Sequence, residues 1–258
     1  MVIFIRIVIA CLLLAPATVW ATHPFVVEDT STEGRGNYLF EMTGNSSKDN
    51  DLKSTTLTGW ITGGLGEYAN LTAEVPYIML DPSPMTGLDE QGLGDTSIRL
   101  KHRVYENEVR QSMAYLLFAD FSNGNESKGL GKDGMYWGIM FIDSQECRNN
   151  AFHLNLGYEI LGRDLQDFHF LDNYKIRFGL AMEHKMTESF RFLAEFVAES
   201  RKTVDRDADT QSYARPVTVS AGIIKDISKS WYVDLGVRAG LNKYAEDYAL
   251  LAGTAWRF

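Results

Sequence analysis

The sequence has few of the residues and runs that mark specialised protein classes. Its 258 residues include six prolines and two cysteines, which excludes a proline-rich array and a disulfide-dense scaffold. After the first segment no long apolar run occurs and the mean hydropathy is −0.18, so a helical polytopic membrane protein is excluded. A transmembrane β-barrel remains compatible, because only alternate residues of its strands face lipid.

The first 21 residues have the organisation of a secretory signal peptide. A start that carries Arg6 precedes an apolar stretch over residues 7–14, Pro16 and a small-residue cleavage site ending at Ala21. A lipoprotein signal is the alternative, since residues 8–11 resemble a lipobox. The segment holds one basic and no acidic residue, so its removal takes the net charge from −9 to −10. This acidic balance argues against nucleic-acid binding.

The remaining chain is predicted to be an extended leader, residues 22–35, followed by a barrel over residues 36–258. Apolar-alternating runs of period two are separated by Gly, Asn, Asp and Ser clusters. The runs begin near Asn37, Lys53, Glu67, Gly94, Val109, Gly134, Ala151, Asn173, Ser189, Pro216, Trp231 and Asp247. The predicted fold class is all-β, a closed antiparallel transmembrane β-barrel of about 12 strands. Ten or fourteen strands are alternatives, because residues 76–92 and 201–215 are long enough to hide a short pair.

Two features favour a membrane barrel over a soluble β-sandwich. Aromatic residues lie towards the ends of the apolar faces, as in the aromatic girdles of outer-membrane barrels. The connections also alternate in length, with short ones such as residues 63–66 and 185–188 and long ones such as residues 122–133. The short set falls at the end that both termini share, where periplasmic turns are expected.

The carboxyl terminus carries a predicted assembly signal. The chain stops at Phe258, which has the parity of the lipid-facing residues, and bacterial outer-membrane barrels commonly end in such a residue. The expected partners are therefore outer-membrane lipid and the barrel-assembly machinery, which recognises the C-terminal strand. The protein is predicted to be a monomer in the bacterial outer membrane, exported through its signal peptide.

Four segments of the mature chain carry a family resemblance. They are His23-Pro24-Phe25 with Glu28-Asp29-Thr30, residues 34–37, Gly92-Leu93-Gly94-Asp95-Thr96-Ser97, and residues 252–258. They resemble the outer-membrane proteins of the meta-pathway phenol-degradation transporter family. The resemblance implies a closed antiparallel barrel in a Gram-negative outer membrane and passage of small, often aromatic, molecules. It supplies no catalytic residues and leaves the substrate open.

Charged residues lie mainly on the face opposite the apolar stripe and are predicted to line the lumen. On the lipid face each Arg or Lys would cost about 2–4 kcal/mol at mid-membrane. The predicted lumen-lining residues are Glu41, Glu74, Asp95, Arg99, Lys101, Arg103, Arg177, Arg191, Glu195, Asp234 and Arg238. Arg99, Lys101 and Arg103 form a basic ladder on one strand. Its expected counter-charges are Glu41, Glu74 and Asp120. The set is interpreted either as a selectivity lining or as an ion-pair network that fills a narrow barrel.

Catalytic and metal chemistry find little support in the sequence. The histidines do not converge, and no compact segment places a serine beside a histidine as an outer-membrane hydrolase requires. Two metal sites are the alternatives. One is a metal site formed by His23, Glu28 and Asp29, and the other is a calcium-binding loop over residues 205–209. No catalytic residue, metal or cofactor is predicted.

The sequence thus predicts a passive channel or transporter for small solutes, with aromatic or anionic molecules as the candidates. The basic ladder predicts a narrow pathway that prefers anions weakly. A non-conducting structural or surface-interaction barrel is the alternative, and an outer-membrane lipid-modifying enzyme is the third hypothesis.

Overall fold

The computed structural model describes residues 25–132, 134–161, 173–205 and 210–258. The predicted signal peptide lies outside the described residues. The strands are β1 Tyr38–Asp49, β2 Leu52–Gly64, β3 Ala69–Asp81, β4 Glu90–Leu93, β5 Thr96–Glu106, β6 Gln111–Phe121, β7 Tyr136–Cys147, β8 Asn150–Leu161, β9 Tyr174–Thr187, β10 Phe190–Asp205, β11 Thr210–Ala214, β12 Val217–Asp226, β13 Trp231–Gly240 and β14 Tyr248–Arg257. A single 3₁₀ turn, Glu126–Lys128, interrupts the described loops. No helix in these described ranges is long and apolar enough to span a membrane.

Twelve long strands close into an antiparallel barrel. Each pairs with its neighbours along the chain, β1 also pairs with β14, and β9 pairs with β10, so the ring has no open edge. The two short strands are additions at one end, where β4 pairs with β3 and β11 with β10. The prediction of a closed twelve-stranded barrel is confirmed. The two extra strands account for the fourteen-strand alternative: β4 overlaps the connection of residues 76–92, and β11 lies within that of residues 201–215.

Side chains alternate between a buried inner face and an exposed outer face along each strand. In β14, Leu250 and Trp256 are more than half exposed, whereas Ala249 and Ala255 are almost fully buried. A hydrocarbon environment stabilises the outer apolar side chains, and the same environment makes outward charges costly. This alternation fixes the register of every strand, because a slip by one residue would turn the charged face to lipid.

The two ends of the barrel differ in their connections. The start of β1 and the end of β14 lie at one end, which we call the terminal end. The turns at this end are short: residues 65–68, 107–110, 148–149, 188–189 and 227–230. The opposite loop end carries the longer connections, with one exception at the tight turn of residues 50–51. At the terminal end the rings of Tyr38 and Phe258 stack 5.9 Å apart, and those of Trp231 and Trp256 stack 5.8 Å apart. In outer-membrane barrels the short turns face the periplasm.

Candidate functional site

Part of the leader, residues 25–33, lies inside the barrel. This leader segment forms no strand, yet its backbone is held by side chains of the inner wall. The N–H groups of Val26 and Val27 both donate to Oε2 of Glu195 on β10, each at 2.7 Å. A buried backbone outside a sheet ladder needs such partners, because unpaired buried amides are costly.

Further along, the leader segment is held by β8, β7, β6 and β3 in turn. Asn155 makes a two-way contact with Glu28: the Glu28 N–H donates to Oδ1 at 2.7 Å, and Nδ2 donates to the Glu28 carbonyl at 2.8 Å. The Thr30 N–H donates to Ser144 Oγ at 3.2 Å, and the Thr30 hydroxyl lies 2.5 Å from the Ser112 hydroxyl. The Glu33 N–H donates to Asn70 Oδ1 at 3.0 Å. The leader segment therefore crosses the lumen on contacts from opposite sides of the wall.

Apolar side chains anchor the N-terminal end of the leader segment. Phe25 is buried in a cluster inside the barrel whose other members are Leu39, Leu193, Ile224, Tyr232, Ala249, Leu251 and Ala255. Val27 packs with Ala181 and Val197. Its seat depends on Gly179 of β9, where an added Cβ would lie 2.7 Å from Val27 Cγ2. The inner wall is thus shaped to receive these two side chains.

Charge pairs complete the attachment of the leader segment. Lys101 Nζ lies 2.9 Å from Glu28 Oε2 and 3.6 Å from Asp29 Oδ1, and it donates to the Asp29 carbonyl at 3.1 Å. At the terminal end Arg257 Nε lies 2.8 Å from Glu33 Oε2. The leader segment holds three acidic residues and no basic one. Seated in the lumen, it therefore neutralises positive charge on the wall.

Each residue of the basic ladder pairs with at least one carboxylate, but only Arg99 has a partner that the sequence predicted. Arg99 Nη2 pairs with Glu74 Oε2 at 2.6 Å, as the spacing suggested. Lys101 pairs with the leader segment, and Arg103 pairs with Glu106 at 3.3 Å on its own strand. The other two expected counter-charges have different contacts: Glu41 accepts a hydrogen bond from the Tyr232 hydroxyl at 3.1 Å, and Asp120 lies 3.2 Å from Lys132 Nζ.

Three further basic residues from the predicted lumen set form ion pairs within the wall. The pairs are Arg177 with Glu199 at 2.8 Å, Arg191 with Glu183 at 3.3 Å and Asp226 at 3.2 Å, and Arg238 with Glu246 at 3.2 Å. Each brings together side chains from neighbouring strands or an adjacent loop. These pairs brace the wall.

Asp234 and Asp95 complete the predicted set, and they occupy different environments. Asp234 is buried on β13. Asp95 lies between β4 and β5 at the loop end, where Oδ1 accepts the Gly124 N–H at 2.9 Å and Oδ2 accepts the Lys132 N–H at 2.7 Å. Its carboxylate ties the loop of residues 122–135 to the wall.

A small cavity remains between the leader segment and the wall of β1, β2, β3 and β5. It measures about 60 Å³, which is room for a few water molecules. Its lining includes the basic groups of Arg99 and Lys101, the ring of Trp60 and the carboxylates of Glu28, Glu33 and Glu41. The guanidinium of Arg99 lies 5.6 Å from the centre of the Trp60 ring. With the leader segment seated, this part of the lumen is narrow and is lined by both charged and apolar side chains.

One juxtaposition corrects the sequence reasoning on histidines. Ser144 and His153 are direct partners across the β7–β8 hairpin, and Ser144 Oγ lies 2.8 Å from His153 Nδ1. Sequence inspection missed the pair because it depends on strand register. Both residues are almost completely buried, and the Ser144 hydroxyl also accepts the Thr30 N–H. The pair therefore serves the seat of the leader segment. Among the residues that the structure describes, no cluster could hold a metal ion.

Comparison with known proteins agrees with this geometry. The family model described as "Putative MetA-pathway of phenol degradation" matches residues 18–258. The chain belongs to this family. No curated protein matches the chain.

Several solved outer-membrane barrels share the fold of this family member. An outer membrane channel from Pseudomonas putida F1 is similar with a TM-score of 0.69 at 13% identity, over 89% of this chain and 98% of that one. The NanC porin has a TM-score of 0.59 at 10% identity, over 84% and 98% of the two chains. The KdgM porin has a TM-score of 0.55 at 11% identity, over 85% and 99%. At such identities the likeness establishes the barrel fold.

Proposed function

We propose that this protein is a passive outer-membrane channel for small solutes and that the leader segment sets the opening of its pore. The observation that supports this most is the leader segment itself, which lies across the lumen instead of joining the wall. Eight strands leave an interior that side chains fill, and sixteen or more leave an aqueous channel. A twelve-stranded barrel lies between these limits, so a chain segment in its lumen decides how much of the pore is open.

The lumen charges support anionic solutes, including aromatic acids, as the preferred cargo. When the leader segment is displaced, Lys101 and Arg257 lose the carboxylates of Glu28, Asp29 and Glu33. The lumen then loses three negative charges, and its net charge rises by three relative to the seated state. Trp60 offers a ring face beside Arg99 and Lys101, which suits an aromatic solute with a carboxylate. The channel names of the similar structures are consistent with this proposal.

Planar-bilayer recording tests the proposal with the wild-type chain and a variant that lacks residues 25–33. The expected wild-type channel has low conductance. The deletion is expected to raise the conductance and to shift the reversal potential in a salt gradient towards anion preference, because three carboxylates leave the lumen. A retained heat-dependent shift in gel mobility, typical of folded barrels, is the control for assembly. Silent bilayers for both folded proteins would contradict the proposal.

A non-conducting structural barrel is the second candidate. The ion pairs that brace the wall and the buried apolar cluster around Phe25 inside the lumen favour it. The same recording separates the two candidates, since a structural barrel stays silent when the leader segment is deleted. An outer-membrane hydrolase is not supported, because the buried Ser144–His153 pair is occupied by the leader segment.

A further inference from the structure

Lys101 differs from its neighbours on the basic ladder in what neutralises it. Arg99 and Arg103 pair with carboxylates of the wall, Glu74 and Glu106. Within the described part of the chain, both ion pairs of Lys101 are made by the leader segment, through Glu28 and Asp29. The Lys101 side chain is only 13% exposed. Movement of the leader segment would therefore leave this ammonium in a confined lumen without the carboxylates of Glu28 and Asp29.

The cavity beside Lys101 has the chemistry of a carboxylate site. Lys101 and Arg99 contribute positive charge, Thr62 and Asn70 contribute polar groups, and Trp60 contributes an aromatic face. The Glu28 carboxylate already lies within hydrogen-bond distance of the ammonium, so the geometry of a bound carboxylate is present in the structure. The cavity alone is too small for an organic acid, and the space that Glu28 and Asp29 occupy would have to be vacated.

We propose that Lys101 is a binding site for small organic carboxylates and that Glu28 and Asp29 of the leader segment occupy it until a solute replaces them. The inference rests on the proposed channel function, to which it adds the solute class and the means of opening. The leader segment is then an internal competitor for the site. A carboxylate solute that binds Lys101 favours the displaced leader and thereby opens the pore that it is to cross.

The competition follows from the cost of an unpaired charge. Breaking a confined ion pair by withdrawing one partner is strongly unfavourable, because the remaining charge is left without compensation. A solute carboxylate supplies that compensation as Glu28 departs, whereas a neutral molecule of the same shape does not. A ligand can shift an equilibrium only through its different affinity for the two states. Here the displaced state alone presents a vacant ammonium.

The experiment measures exposure of the leader segment in the full-length chain. Val27 is 2% exposed, so a Val27→Cys variant in a Cys147→Ala background should react slowly in liposomes with a water-soluble maleimide. Sodium benzoate and sodium acetate should each accelerate labelling, by about tenfold at ten times the dissociation constant. Benzamide, the neutral relative of benzoate, and sodium chloride at equal ionic strength should not. A preference for benzoate over acetate would assign a role to Trp60.

A substitution at Lys101 provides the matched control. Lys101→Gln should label faster without any solute and should lose the response to carboxylates, whereas Lys101→Arg should keep the response. Equal labelling with and without carboxylate in the Val27→Cys chain would overturn the inference. Acceleration by benzamide equal to that by benzoate would overturn it as well.

The channel proposal and the solute-site inference fail differently. A conductance that rises on deletion of residues 25–33, together with labelling that ignores carboxylates, contradicts the solute site alone. Carboxylate-dependent labelling in a barrel that stays silent in bilayers contradicts the channel alone.

Discussion

Replacing Glu195 with glutamine should loosen the leader segment without disturbing the wall. One carboxylate oxygen of Glu195 accepts the N–H groups of both Val26 and Val27, and the other accepts the Ser220 hydroxyl at 3.0 Å. An amide oxygen of nearly the same size can still accept from the leader amides, but it carries no charge. The barrel keeps its shape while the two leader contacts become ordinary hydrogen bonds.

The size of the effect follows from the difference between charged and neutral acceptors. A hydrogen bond to a charged group contributes about 1.5–3 kcal/mol and a neutral one about 0.5–1.5 kcal/mol, so each bond weakens by about 1 kcal/mol. Two bonds give about 2 kcal/mol, which lowers the ratio of seated to displaced leader roughly 30-fold. In single-channel records this ratio is read from the relative times spent at low and high conductance.

Glu199→Gln is the matched control for this prediction. Glu199 lies on the same strand and the same inner face, and it pairs with Arg177 and Arg201 instead of the leader segment. Both substitutions remove one negative charge from β10, so effects of charge alone are shared. The same open-state occupancy in Glu195→Gln and Glu199→Gln would refute a role for the Glu195 charge in holding the leader segment.

Three further outcomes are expected. Gly179→Ala places a Cβ 2.7 Å from Val27 Cγ2 and should weaken binding of the leader segment to the wall by about 1 kcal/mol, which raises the open-state occupancy about fivefold. Gly157→Ala is the control, because its added Cβ would have its nearest contact at 3.6 Å, and it should leave the recordings unchanged. Equal effects of the two substitutions would contradict packing of Val27 against Gly179. Asp95→Ala removes the acceptor of two loop N–H groups and should expose residues 122–135 to proteolysis without altering the barrel's thermal unfolding; an unchanged cleavage rate would count against the loop tie. Phe258→Ala removes an exposed ring that stacks on Tyr38 and should reduce barrel assembly in cells more than refolding in detergent; parallel losses would assign Phe258 to stability instead of recognition.

The barrel wall was predictable because one physical constraint acts on every strand. Lipid on one side and a polar lumen on the other impose a period of two, and the expected starts near Asn37, Lys53 and Trp231 fall within one residue of β1, β2 and β13. Connection lengths then identify the end that holds the termini. The short strands β4 and β11 were harder to detect because each is only four or five residues long and packs at the loop end.

The position of the leader segment was not predictable from its own residues. Its contacts join positions far apart in sequence, such as Val26 and Glu195 at a separation of 169 residues, and they exist only after the ring has closed. The sequence gives only a weak signal: an apolar run, residues 25–27, is followed by the acidic Glu28 and Asp29. Such a segment needs a binding surface with both apolar and basic groups. The partners of Lys101 and Glu41 were missed for the same reason.

A reversible lock on the leader segment tests the central claim most directly. The hydroxyls of Thr30 and Ser112 lie 2.5 Å apart, so cysteines at both positions are placed to form a disulfide of about 2.05 Å. In a Cys147→Ala background, Thr30→Cys with Ser112→Cys should conduct little when oxidised and should gain conductance within the same bilayer when a reductant is added. Each single cysteine variant should ignore the reductant. Equal conductance of the double variant before and after reduction, with the disulfide verified by mass spectrometry, would contradict control of the pore by the leader segment.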